Sequence, residues 1–171
     1  MTPFLSEFLG TFVLLFLGIG VVANVSLQKT LKRKIYFSGV GVHNGRAVSM
    51  SIEPAKADTG IIFCRTDIEN HNIIKAIIDN VVDSKLCTKI KNSNGIFVST
   101  IEHLMAAFSA LGIDNAIVKI NSSELPALDG SSHEYVKKII NSGIKVLNRS
   151  KKIFKVIKKV EVKSGDRFIS I

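Results

Sequence analysis

The chain has 171 residues, 46% of them hydrophobic, and a formal net charge of +9. That length accommodates one ordinary domain with its own core plus a short appendage, and it excludes a large multidomain assembly in one chain. The two cysteines, Cys64 and Cys87, form neither a CxxC pair nor a zinc-finger spacing, which argues against a disulfide-stapled secreted fold and fits a reducing cytoplasm.

From Phe8 to Gln28 there is no charged side chain. A spanning helix needs roughly 20 apolar residues, so residues 8–28 are expected to enter a membrane, and residues 1–27 are set apart as a hydrophobic transmembrane-type helix. Gly10, Gly18 and Gly20 suit close helix packing in lipid better than a soluble helix. The cations that follow at once (Lys29, Lys32, Arg33, Lys34) place the C-terminal side in the cytoplasm, anchored at the inner membrane. A signal peptide is the competing reading, but MTPFLSE lacks its positive start. The wording EFLGTFVLLFLGIGVVAN, with Glu7, Gly10 and Thr11, resembles the first helix of the aquaporin and glycerol-facilitator family. No Asn-Pro-Ala motif and no second hydrophobic span accompany it, so a channel is not expected.

Positive charge gathers again from Lys145 to Lys163. Basic clusters suit nucleic acid, anionic lipid or an anionic substrate. Neither cluster has the interleaved aromatic residues of a base-stacking surface, so no nucleic-acid partner is expected, and a solvated face is the plain alternative.

Between these clusters the pattern is that of an α+β domain. Val48, Met50 and Ile52 alternate as in a half-buried strand, and Asn44-Gly45 signals a hairpin turn with His43 beside it. GVGVHNG has neither the GK[ST] ending of a P-loop nor a GxGxxG spacing. Strands are predicted at Ile61–Arg65, across Asn72–Val82, and from Gly95. Ile101, Leu104, Phe108 and Leu111 then repeat at helical spacing, with Ser99 and Glu102 as a capping box and Gly112 as the stop. NAIVKI reads as a strand, residues 133–141 as a second helix closed by Gly143, and Lys155–Val162 as the start of a further strand. Strand runs with two helices predict a two-layer sheet with helices packed on one face.

Glu102-His103 carries the candidate chemistry, and two readings stand side by side. In one, Glu102 caps a helix and His103 is a satisfied histidine. In the other, His103 ligates a catalytic zinc, which takes three protein ligands and leaves one position for water. A neighbouring carboxylate can then take the proton of that water, an arrangement suited to amide hydrolysis.

Four segments in order, SGVGVHNG (38–45), DTGIIFCRTD (58–67), STIEHLMAAFSALGIDN (99–115) and ELPALDGSS (124–132), together with QKTLKRKI (28–35), resemble the UDP-3-O-acyl-N-acetylglucosamine deacetylase family. The resemblance covers residues 27–171 and implies a zinc amidase of lipid A synthesis, acting on a UDP-linked acylated glucosamine. It implies Glu102 as general base, His103 as a Zn2+ ligand, and Leu86, Cys87 and Thr88 as a segment lining the substrate cleft. His43 lies in one of these segments without an assigned role and is expected to make a turn-stabilising hydrogen bond; Asp129-Gly130 resembles a family turn and is read as structural.

The departure from the family pattern is as informative. The other two zinc ligands belong to a His-Lys-x-x-Asp motif in a second domain, and none of His43, His71, His103 or His133 is followed by that pattern. The expected division is an anchor at 1–27, a first domain at 28–150 and the start of a second at 151–171. Weak zinc binding and no deacetylase activity are expected of the chain alone, with a separately encoded second domain as a candidate partner. A membrane-anchored binding module without catalysis and a channel-family fragment are the competing classes.

Overall fold

Alternation of apolar residues decides the central sheet. The computed structural model describes residues 27–83, 86–152 and 156–171. Strands β2 (Ile35–Val40), β3 (Ala47–Pro54), β4 (Ile61–Arg65), β5 (Ile73–Lys75) and β9 (Ala116–Ile120) form a five-stranded sheet in the order β2-β3-β9-β4-β5. β4 and β9 run parallel; every other pair in it is antiparallel. Cross-strand partners share a face. Phe37 lies opposite Met50, Met50 opposite Ile120, and Phe63 opposite both Val118 and Ile74. All of these are buried, so the register puts one continuous apolar face inward. The opposite face pairs Ser38 with Ser49 and Ser51 with Lys119.

Helices α1 (Glu102–Leu111) and α2 (His133–Ser142) supply the second layer. Leu104, Ala107 and Phe108 of α1 and Tyr135 and Ile139 of α2 are buried in the same core as the inward sheet face. The Tyr135 ring packs on Phe37 at 5.0 Å between centroids, and its hydroxyl donates to the Pro126 carbonyl at 3.0 Å. Gly112, at φ 66°, ends α1 in the left-handed conformation that an L side chain resists.

A small sheet of β6 (Val81–Asp83), β7 (Lys89–Lys91) and β8 (Phe97–Ser99) delivers the chain to α1. The region expected as one extended run over 72–82 is instead β5, a 3-10 turn (Ile78–Asn80) and β6. Asn80 closes that turn by donating its side-chain amide to the Lys75 carbonyl, which β-propensity does not reveal.

The predicted capping box is not formed. Ser99 is the last residue of β8 and donates its hydroxyl to the Ser123 carbonyl, while Ile101 occupies the N-cap and Glu102 is the first helical residue. Strand pairing consumed the serine that local spacing assigned to the helix.

β1 (Leu27–Leu31) pairs antiparallel with β10 (Ile144–Ser150), a strand that the alternation of the sequence did not mark. Gln28 is buried, donating to Asp58 Oδ1 and the Ser150 carbonyl and accepting from Asn115 Nδ2 and the Asp58 N–H. Residues 27 and 28, expected in the membrane stretch, are instead part of the sheet, where a satisfied buried amide fixes them. The rest of that expected helix lies outside the described residues. Among the described residues no helix is long and apolar enough to cross a membrane. β11 (Glu161–Ser164) and β12 (Arg167–Ser170) make a hairpin that pairs with itself.

Candidate active site

The junction of β8 and α1 is a strained turn. Thr100 holds φ at 59°, uncommon for a β-branched residue, at a typical cost of about 1–3 kcal/mol. Its hydroxyl donates to Glu124 Oε1 at 3.1 Å. The two residues that follow Thr100 and Ile101 are the candidate pair, Glu102 and His103.

Glu124 organises this region from the opposite side. It is 2% exposed and comes from the loop after β9, where Ser99 bridges to it in parallel. Its carboxylate accepts the backbone N–H groups of His43 and Asn44, each at 2.9 Å, and lies 2.7 Å from His43 Nδ1. Burial pushes this carboxyl upward, but the two N–H donors, the imidazole and the Thr100 hydroxyl outweigh it and hold it below the usual glutamate value. One buried carboxylate thus ties the β2–β3 hairpin to the base of α1. The expected turn-stabilising bond of His43 is present, with Glu124 as its partner. A Cβ at Gly41 would meet Asn44 Oδ1 and come within 2.6 Å of Glu124 Oε2, so a side chain there would force these hydrogen-bonded groups to shift.

Glu102 reaches across to the predicted cleft segment. Its Oε2 accepts the Thr88 backbone N–H at 3.0 Å. Glu102 and Thr88 together line a mostly apolar groove of about 250 Å³ walled by Ile77, Ile90 and Met105. Leu86 and Cys87 turn the other way, into a cavity of about 620 Å³ that also holds His43, Lys89 and Phe97. Leu86 is 86% exposed at its rim, and Cys87 is half-buried. The 86–88 loop therefore stands between two recesses, with Thr88 on the Glu102 side and Leu86 and Cys87 on the His43 side.

His103 lines neither recess, and its carbonyl accepts the Ser132 hydroxyl at 2.9 Å, joining the start of α1 to the start of α2. Among the described residues no group of three or more His, Cys, Asp or Glu side chains is placed to hold a metal ion. A catalytic zinc needs three protein ligands, so these residues do not by themselves fit one. Asp129 accepts the Ser131 N–H and hydroxyl, and these donors lower its pKa. Gly130 at φ 75° completes that turn.

Sequence reasoning missed Glu124 as an individual residue. Its signal was its place at the head of the ELPALDGSS segment, directly before Leu125-Pro126.

A family model described as LpxC, UDP-3-O-acyl N-acetylglycosamine deacetylase, matches residues 28–171. The UDP-3-O-acyl-N-acetylglucosamine deacetylase of Geotalea uraniireducens is 45% identical over 147 residues, covering 86% of this chain and 48% of the relative. Those of Pseudoalteromonas atlantica and Pasteurella multocida are 42% and 40% identical, each over more than 80% of this chain and 47% and 46% of their own lengths. The chain spans about half the length of the curated relatives it matches. The channel-like wording of residues 7–24 precedes the matched region and lies outside the described residues. With a family model covering most of its length, the chain belongs to the UDP-3-O-acyl-N-acetylglucosamine deacetylase family.

Proposed function

We propose that this chain contributes the general base, one zinc ligand and one wall of the substrate cleft to a zinc-dependent deacetylase of UDP-3-O-acyl-N-acetylglucosamine in lipid A biosynthesis. The observation that carries the reading is the Glu102 carboxylate at the start of α1, held against the 86–88 loop by the Thr88 N–H. One carboxylate oxygen is occupied by that N–H, which leaves Oε1 to take the proton of the water that attacks the acetyl carbonyl. His103 is the one ligand this chain is proposed to offer; a zinc site needs further ligands from outside the described residues. The recess holding Leu86 and Cys87 is the proposed substrate contact. In this reading residues 28–150 are a first domain, residues 151–171 open a second, and the uncharged stretch before Leu27 is a membrane anchor, supported by its length and lack of charge.

The test is a chimera in which residues 28–171 replace the matching region of the Pseudoalteromonas atlantica relative, assayed for release of the free amine from the acyl sugar nucleotide. A folded chimera is expected to turn over, and Glu102→Gln to lower kcat by about 10²–10⁴. A folded but inactive chimera, or an unaffected Glu102→Gln, overturns the reading.

A further inference from the structure

We infer that the β1–β10 ribbon is a docking surface for anionic lipid headgroups. Two basic clusters far apart in the sequence meet because these strands pair, with Leu31 opposite Ile144 and Thr30 opposite Lys145. Part of this charge is committed inside the fold. Arg33 donates to the Asn141 and Ser142 carbonyls at the end of α2, Lys151 donates to the Gly112 carbonyl beyond α1, and Arg149 pairs with Asp58. The first two contacts complement the negative ends of the helices, the third is an ion pair, and together they account for those three cations structurally.

They do not account for Lys32, Lys145 and Lys152, which are exposed on the ribbon and its flanks. Long cationic side chains of this kind suit the headgroup boundary of a bilayer, where they reach the phosphates.

Charge alone also suits nucleic acid; neither β1 nor β10 carries an aromatic residue to stack on the bases of a single strand, and a duplex is the competitor that the test below includes. Continuity in the chain favours lipid. Phe8 to Ser26 contains no charged residue and leads directly into β1, where the cations begin. A run of cations next to an apolar segment is the arrangement that the negative surface potential of a membrane attracts. The ribbon would thus hold the folded domain flat against the leaflet, and it does so whichever reaction the cleft serves.

The full-length chain is mixed with vesicles of phosphatidylcholine alone and of phosphatidylcholine with an equal share of phosphatidylglycerol, and its partition is measured by co-sedimentation at low and high salt. Partition into the anionic vesicles is expected to exceed that into the neutral ones and to fall as salt rises, since exposed charges are screened. Each cation near such a surface contributes about fivefold, so the combined Lys32→Gln, Lys145→Gln and Lys152→Gln variant should lose about a hundredfold of the anionic excess. Its partition into neutral vesicles and its Tm should stay unchanged, because the three side chains are exposed. Equal partition of the wild-type chain into both vesicles, salt-insensitive binding, or an undiminished excess in the triple variant overturns the inference. Displacement of the chain from anionic vesicles by duplex DNA at equal charge overturns it in favour of a nucleic-acid surface.

Discussion

The Thr88 backbone N–H and the Glu102 carboxylate are joined by a 3.0 Å hydrogen bond between a loop and the first residue of a helix. The bond fixes which of the two carboxylate oxygens faces the loop. Glu102→Gln keeps an acceptor oxygen and should leave the Thr88 amide protected from hydrogen exchange. Glu102→Ala removes it, and exchange of that amide should quicken by about tenfold, in line with roughly 1.5 kcal/mol for a bond to a charged group. Equal exchange in the two variants would show that the tether is not made in solution.

Glu124 should make the domain acid-sensitive. Its folded pKa lies below the ordinary value of 4.5. The ionised form is therefore favoured in the folded state, and the stabilisation is fully present above about pH 4.5 and disappears as pH falls through the folded pKa. Glu124→Gln should lose about 1–3 kcal/mol at neutral pH. The gap between wild type and variant in urea midpoint should then narrow on acidification below pH 4.5. A gap that is constant with pH would show that the carboxylate is not ionised in the fold.

Gly41→Ala should destabilise the β2–β3 hairpin without any change of charge. The added methyl meets Asn44 Oδ1 and Glu124 Oε2, both already engaged in hydrogen bonds. Overpacking of this kind costs about 1–3 kcal/mol, readable as a lower Tm. In the Glu124→Ala background the penalty should shrink, because one of the two obstructing groups is gone.

Tyr135→Phe separates the two roles of that side chain. Burial, with a smaller contribution from Asp129, pushes the Tyr135 hydroxyl well above its ordinary pKa, so it remains a neutral donor to Pro126. Phenylalanine keeps the packing on Phe37 and leaves the Pro126 carbonyl without its donor. A loss of about 1 kcal/mol in urea denaturation is expected. A loss as large as that of Tyr135→Ala would mean that packing contributes little.

Much of this molecule was legible locally. The α1 face of Ile101, Leu104 and Phe108, its stop at Gly112, the alternation of β3 and the turn at Asn44-Gly45 are short-range patterns, and local propensity and solvent exclusion decide them. Glu102 and His103 stood out together as candidates in the sequence, but only the fold separates them, with Glu102 on the groove beside Thr88 and His103 lining neither recess. Tertiary structure decided what depends on distant partners. Ser99 reads as a helix cap until strand pairing takes its hydroxyl to Ser123. Glu124 reads as an ordinary loop acid until the hairpin turn and Thr100 close around it. The uncharged run reads on through Gln28 until β10 arrives to pair with β1. A hydrogen bond satisfied across the fold outweighs a local preference of a few tenths of a kcal/mol, and no window of neighbouring residues contains its partner.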